Sequence, residues 1–493
     1  MLSFAFAPVY IGLGFLGAAT AGDGDESLAR LEMKPVEVEL RDGGTLTVFR
    51  GDLKVPIVRA NPESKEITVD VWRFPALEGA DPDAPPIFKL HGGPGWPGME
   101  MVPGAYERAV MPTTKYADLV VVGQRGIGSS KPNTTCAPIP ATGKLKALTQ
   151  EESDAALVKG CKSCREHWEE QGYDITGLNV VEAAADVDDI RRLLGYDKIV
   201  LWGGSFGSHW SMAVMRYFPD GVARAALHGI EGPDHTYDSP SGVLGALERL
   251  AAEADISPQF EGRVPPGGLM EAFKTVIEFA EMEPIEVEVD GETVKIDADD
   301  LRSACKGYTN STSSRRGARS WAADMLALYE GKFERAARAK MGDSRGVRGL
   351  PTASFFMLDC GSGISPERLE TLKNDPAVAV VGDQTKWYQT ACSAWNSDLG
   401  ESFRAGFTTE IPTLMVQGSW DTSTPMENAV EILPFFENLH FVLVDGGSHG
   451  AMSEAMDYSE EFHDAVMAFF TKGDMSGLPL DVRMPPLDWT PPY

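Results

Sequence analysis

KIVLWGGSFGSHW, residues 198–210, is a short apolar run followed by two glycines, a serine, an aromatic residue and a third glycine. The run Ile199–Trp202 carries no polar alternation, as expected of a strand buried on both faces. The residues that follow, SHWSMAVMRYF, read as a helix. Gly203-Gly204-Ser205-Phe206-Gly207 fits the pattern G-x-S-x-G, in which the serine occupies a strained strand-to-helix corner and its neighbours two positions away are small because backbones pass closely there. The glycines permit the corner, and the corner exposes the hydroxyl.

Outward from this stretch the chain reads as alternating strands and helices. Residues 35–75 alternate polar and apolar (VEVEL, TLTVF, EITVDVW), with Asp42-Gly43-Gly44 between the first two runs, which reads as antiparallel strands joined by hairpin turns. The short apolar runs PIFKL (86–90), ADLVVV (117–122), KIVLW (198–202), ARAALH (223–228), IPTLMV (411–416) and HFVLV (440–444) follow, several separated by helical stretches. Such runs imply an α/β fold whose mostly parallel central sheet is covered by helices on both faces. Val181, Ala184, Ala185, Val187, Ile190, Leu193 and Leu194 recur at helical spacing and deliver the chain into KIVLW. From 233 to 408 the rhythm stops, and helical segments with a hairpin-like EVEVDGETVKI (286–296) suggest an inserted, mainly helical cap domain. The expected organisation is a leader over 1–21, a sheet domain over 30–232 and 409–475, the insertion over 233–408, and a Pro-rich tail over 476–493 lying extended on the surface.

Composition narrows the partners. The 493 residues carry 44 Lys and Arg against 73 Asp and Glu, a net charge of -29, which repels phosphate backbones and argues against nucleic acid as a partner. The basic cluster from Lys332 to Arg348 reads as a solvated helix face. No internal stretch approaches the ~20 apolar residues of a membrane span, so stable membrane insertion of the mature chain is not expected. The amino terminus is apolar up to Ala19-Thr20-Ala21 and then turns acidic, which resembles a secretory signal except that no Lys or Arg precedes Arg30. Six cysteines (136, 161, 164, 305, 360, 392) suit accessory disulfides in an exported protein. Cys161-Lys-Ser-Cys164 has no second C-x-x-C or H-x-x-H to complete a metal site, so neither metal nor cofactor is expected.

Two further matches to G-x-S-x-G occur. Ser344 follows a charged helical segment, with no strand to aim it. Ser448 follows a strand, but the histidine that should come after its acid is limited to His463, inside a helical pattern. Ser205 has a strand before it, a helix after it, and enough chain downstream to supply partners. A serine hydroxyl needs a base, and the base an orienting carboxylate. Asp421 ends IPTLMVQGSWD and His449 ends HFVLVDGGSHG, in the chain order this architecture uses. Asp445 is a rival acid close to His449, His209 and His228 are rival bases that also read as packing residues, and Asp421 could instead cap the segment at Pro425. Oxyanion donors are expected from the Phe206 N–H and from the glycine turn His91-Gly92-Gly93-Pro94-Gly95 after PIFKL.

Taken together, HGGPG (91–95), QRGIGSS (124–130), GGSFG (203–207), GSWD (418–421) and GSHG (447–450) resemble the prolyl and tripeptidyl aminopeptidase branch of the α/β-hydrolases over residues 80–470. LDCGSG around Cys360 and CSAW around Cys392 look more like the larger tripeptidyl type. The resemblance implies Ser205 as nucleophile, His449 as base, Asp421 as orienter and Gly93 and Phe206 as oxyanion donors. It also suggests a Cys360–Cys392 bridge, beside which Cys136 and Cys164 are paired. Carboxylates that receive a free amino terminus are implied too, with Glu231 and Glu100 as candidates. One departure stands out: the family usually reads D-Q-R-G where this chain has Gly123-Gln124-Arg125-Gly126, leaving that loop's bonding open.

The expected function is a serine exopeptidase acting on peptide bonds near a free amino terminus, without metal or cofactor, on a peptide or small acyl substrate. An esterase or amidase uses the same three side chains and is the alternative, the cap choosing between them. A non-catalytic binding protein fits the intact constellation poorly, and an epoxide hydrolase or dehalogenase would place aspartate at position 205. Oligomeric state is not legible.

Overall fold

A computed structural model describes residues 28–40, 43–98, 110–136, 150–308, 311–342 and 352–493; the leader and Glu100 lie outside them. The strands are β1 (Arg30–Glu39), β2 (Thr45–Pro56), β3 (Glu66–Phe74), β4 (Ile87–Leu90), β5 (Leu119–Val122), β6 (Ile199–Ser205), β7 (Val222–Ile230), β8 (Ile285–Val289), β9 (Glu292–Ile296), β10 (Thr413–Gly418), β11 (Leu439–Asp445) and β12 (Asp481–Arg483). Among the described residues, ten of them form one sheet in the order β1-β2-β3-β5-β4-β6-β7-β10-β11-β12. Pairing is antiparallel from β1 to β5 and parallel from β5 onward.

Period-two alternation sends each apolar run to two layers. Leu201, Leu227 and Met415 point into one core with Phe206 and Trp210, where the helices Val180–Leu193 and Phe206–Tyr217 lie. Val200, Trp202, Ala226 and Val416 point into the other, against Phe462, Val466 and Phe469 of the helix Glu460–Lys472. Each strand is apolar throughout because both of its faces are covered. The helix Val180–Leu193 starts where Asn179 accepts from the Glu182 N–H at 2.9 Å, a side-chain cap that satisfies one of the orphan amides of its first turn.

The chain between β7 and β10 packs in two parts. The helices Pro240–Asp255, Leu269–Met282 and Trp321–Tyr329 share a separate core with the antiparallel ribbon β8–β9. The later helices Ala353–Ser362 and Lys386–Cys392 instead join the sheet core through Phe356, Met357 and Ala391, with Trp395 just beyond them, and Cys360–Cys392 ties them together. Cys136–Cys164 ties the segment after β5 to the helix Gln150–Glu170. Cys161 is therefore not the partner of Cys164 but a buried thiol.

The tail departs from the expected surface strand. It adds β12 beside β11 and drives Trp489, 2% exposed, into the core of the inserted helices, edge-on to Phe260 at 6.0 Å. Proline content predicts extended backbone, but an indole's apolar area is large enough for burial to decide where that backbone runs. Trp489→Ala is expected to destabilise the fold by about 3–5 kcal/mol, measured as a lowered denaturation midpoint; an unchanged midpoint would show that the tail only rests on the surface.

Candidate active site

Ser205 is the last residue of β6 and stands at φ 57°, ψ -134°, a conformation that side-chain-bearing residues rarely adopt and that surrounding structure must impose. Here the surroundings are visible. A Cβ at Gly203 would fall 2.2 Å from the Gly207 carbonyl oxygen, and one at Gly207 would fall 2.0 Å from the Leu90 carbonyl oxygen. Both outer glycines of the motif are thus required by backbone approach, which lets β6 turn at once into the helix Phe206–Tyr217. Ser205 pairs in register with Ile230 of β7, and the His449 ring lies against Gly229, the preceding residue. Ser205 at the end of β6 and the His449 ring against the end of β7 thus lie at the C-terminal edge of the sheet, where open parallel sheets place their sites.

The acid is Asp421. Its carboxylate is fully buried and takes the His449 Nδ1–H at 3.0 and 2.9 Å. It also accepts the Ser423 and Thr424 N–H groups at 2.9 Å each, the Thr424 hydroxyl at 2.7 Å and the Gln417 carboxamide at 3.1 Å. Gln417 accepts the Ile230 N–H at 3.0 Å, tying the acid to the strand beside Ser205. Burial alone would raise the Asp421 carboxyl, but the His449 charge and these bonds hold it below the ordinary carboxylate range. Burial alone would lower His449, yet the Asp421 charge and bond lift it above 6.5. The loop before His449 is anchored by Glu454, which accepts the Ser448 N–H at 2.9 Å. Gln417, Thr424 and Glu454 carry no motif of their own, which is why sequence reading misses them.

The rivals sit elsewhere. Asp445 is exposed, 3.8 Å from Arg483. His209 is buried between the Gly232 carbonyl and the Ser362 hydroxyl, at 3.0 and 2.9 Å, and burial pulls it down to about 4. His228, pushed down to about 3 by burial and by His449 and Lys89, lies against Gly204. Besides serving His449, Asp421 makes the tight turn that leads to Pro425.

The glycine turn packs directly on the serine, since a Cβ at Gly92 would lie 2.7 Å from the Ser205 Cβ. Gly93 and Gly95 take φ of 114° and 102°. Position 123 has no room for a side chain without a shift, since a Cβ there would lie 2.8 Å from the Asp70 carbonyl oxygen; the Asp70 carboxylate itself is bonded to Arg50 and Trp72 at 2.7 and 2.9 Å.

Beyond the end of β7 lies an acidic cluster. Glu231 is buried, and burial, with Asp359 and Asp238 adding, pushes its carboxyl well above the usual range. Asp359, in the helix stapled by Cys360, is raised in the same way by burial and by Asp238, although Tyr388 donates to it. Asp238 pairs with Lys306 at 2.9 Å; among the described residues no basic side chain pairs with Glu231 or Asp359. Tyr237 and Tyr388 stack here at 4.8 Å. Asp359 escapes sequence reading because only the fold brings it to Glu231. Among the described residues, no cluster of three or more His, Cys, Asp or Glu is placed to hold a metal, and no helix is long and apolar enough to cross a membrane.

Residues 85–256 match the alpha/beta hydrolase fold family and residues 377–478 the TAP-like protein family. The chain is 28% identical over 198 residues to the serine protease Hip1 of Mycobacterium tuberculosis, 39% of this chain and 37% of that protein. It is 26% identical over 189 residues to the tripeptidyl aminopeptidase of Streptomyces lividans, 37% of this chain and 35% of that one. Against the proline iminopeptidase of Neisseria meningitidis serogroup B the figures are 26% over 179 residues, 36% of this chain and 42% of that one. The matched stretch thus spans well under half the length of each relative.

An imidazole accepts a proton only when neutral, and its elevated pKa moves the loss of the neutral form to higher pH. The rate at which a fluorophosphonate labels Ser205 is therefore expected to fall on acidification with a midpoint above 6.5; a midpoint at or below 6.5 would contradict the Asp421–His449 coupling.

Proposed function

We propose that this α/β-hydrolase is a serine exopeptidase that removes amino-terminal residues or short peptides through an acyl-enzyme. Ser205 attacks the scissile carbonyl while His449 takes its proton, and Asp421 holds the imidazole in the tautomer whose Nε2 is free to accept. The N–H groups of Phe206 and Gly93 receive the developing oxyanion, each such donor contributing about 10²- to 10³-fold in rate. His449 then returns the proton to the leaving amine, and water repeats the sequence on the ester. No step calls for a metal or cofactor.

The observation that carries the exopeptidase reading is the pair of buried carboxyls, Glu231 and Asp359, without a cation partner among the described residues. Burying acids this way costs stability unless something compensates their charge. A substrate ammonium does so by donating charge-assisted hydrogen bonds to both carboxyls. The inserted segment 233–408 acts as a cap that admits chain ends only. The names of the relatives, serine protease, tripeptidyl aminopeptidase and proline iminopeptidase, support the same reading. Two disulfides suit an oxidising compartment, which supports export with removal of the leader over 1–21.

A panel of aminoacyl and tripeptidyl anilides with free or acetylated amino termini, run beside short-chain nitrophenyl esters, tests this. Free termini are expected to be strongly preferred; equal cleavage of blocked and free substrates, or turnover of esters alone, would shift the assignment to an esterase or amidase. Glu231→Gln and Asp359→Asn are each expected to raise KM for free-amino substrates by about 10- to 100-fold, the size of a lost hydrogen bond to a charged group, with ester turnover little changed.

A further inference from the structure

The glycine turn His91–Gly95 has to hold one N–H at a fixed place, yet glycines at φ of 114° and 102° have little conformational preference of their own. A donor that must first be ordered in the transition state loses much of its benefit, so catalysis of this kind needs the turn fixed in advance. The constraint comes from outside the turn. Gln124, two residues beyond β5 and 2% exposed, donates from Nε2 to the carbonyls of His91 and Gly92 at 3.1 and 3.0 Å, and its Oε1 accepts the Gly95 N–H at 2.8 Å.

We propose that Gln124 is the positioning residue of the oxyanion turn, its carboxamide locking the backbone on both sides of Gly93 so that the Gly93 N–H faces the Ser205 carbonyl-binding position. This rests on the assignment of Ser205 as nucleophile and Gly93 as donor. The chemistry selects the side chain: two carbonyls require donors and one N–H requires an acceptor, all within reach of one planar group, and a carboxamide alone among side chains of this length supplies both. Glutamate would set a carboxylate against two carbonyl oxygens.

Gln124 is itself held. Its neighbour Arg125, 1% exposed, grips both oxygens of Asp186 at 2.6 and 2.8 Å and donates to the carbonyls of Ile57 and Gly177 at 2.6 and 2.8 Å. Asp186 belongs to the helix Val180–Leu193 and is also bound by Arg59 at 2.6 Å. Burial alone would raise its carboxyl, and the two guanidiniums hold it low. The turn is thus referred, through one carboxamide and one buried bidentate pair, to a helix packed in the sheet core rather than to a surface loop.

The test uses Gln124→Met, which keeps the volume and removes every hydrogen bond, and Gln124→Glu, which keeps only the acceptor. Both are expected to lower the rate of fluorophosphonate labelling of Ser205, and kcat for a short-chain nitrophenyl ester, by about 10- to 100-fold. KM should stay within about threefold, and the midpoint of the pH profile should not move, because His449 is untouched. Affinity for a boronic acid that forms a tetrahedral adduct should fall by the same factor as kcat. Unchanged rates, a loss confined to KM, or loss of the folded state in both variants would assign Gln124 to structure alone and overturn the proposal. Failure of the wild-type chain to be labelled at Ser205, with Ser205→Ala as control, would instead overturn the nucleophile assignment and leave the clamp on the turn as a structural fact.

Discussion

The site depends on one backbone corner. β6 ends and a helix begins at a residue whose φ is positive, and the chain tolerates this because Gly203 and Gly207 let the strand, the helix and the carbonyl of Leu90 approach more closely than any side chain would allow. Strain of this kind costs on the order of 1–3 kcal/mol and persists only where packing over-determines it. Here the packing is the sheet core itself, with Phe206 and Trp210 buried directly behind the corner. The rest is arranged around that fixed point: the glycine turn from one neighbouring strand and the β7 end from the other.

Electrostatics then divides the neighbourhood into two carboxylate environments. Asp421 is buried but supplied with four donors besides the imidazole, so it stays ionised and raises His449. Glu231 and Asp359 are buried without such supply and are pushed the other way. Hydrogen-bond supply, rather than burial, sets the opposite directions of these shifts. The first environment suits a carboxylate that orients a base, and the second suits the cation proposed as its ligand.

Much of this was legible before any coordinates. The apolar runs at 86–90, 117–122, 198–202, 223–228, 411–416 and 440–444 all became strands of one sheet, because an apolar run bounded by turns leaves few alternatives. Strand-end positions then pointed to Asp421 and His449, and the structure joins those two side chains. What stayed hidden depends on approach between distant segments. Gln417 in β10, Thr424 in the loop after it and Glu454 in the helix Ala451–Tyr458 look like ordinary polar residues until these segments converge. Asp359 sits in a helix whose sequence says nothing of Glu231. The tail's prolines pointed to the surface, whereas the burial of Trp489 decided its course. The division of the insertion into two packing units likewise follows from which apolar faces meet, not from composition.

Every role proposed for the site requires the alcohol oxygen at that corner to become covalently acylated. The direct measurement is rapid acid quenching during turnover of a free-amino tripeptidyl anilide, followed by peptide mass analysis of the chain. An adduct of the acyl portion's mass is expected on the peptide carrying Ser205. Sustained turnover with no adduct there, or with the adduct on another residue, would contradict it.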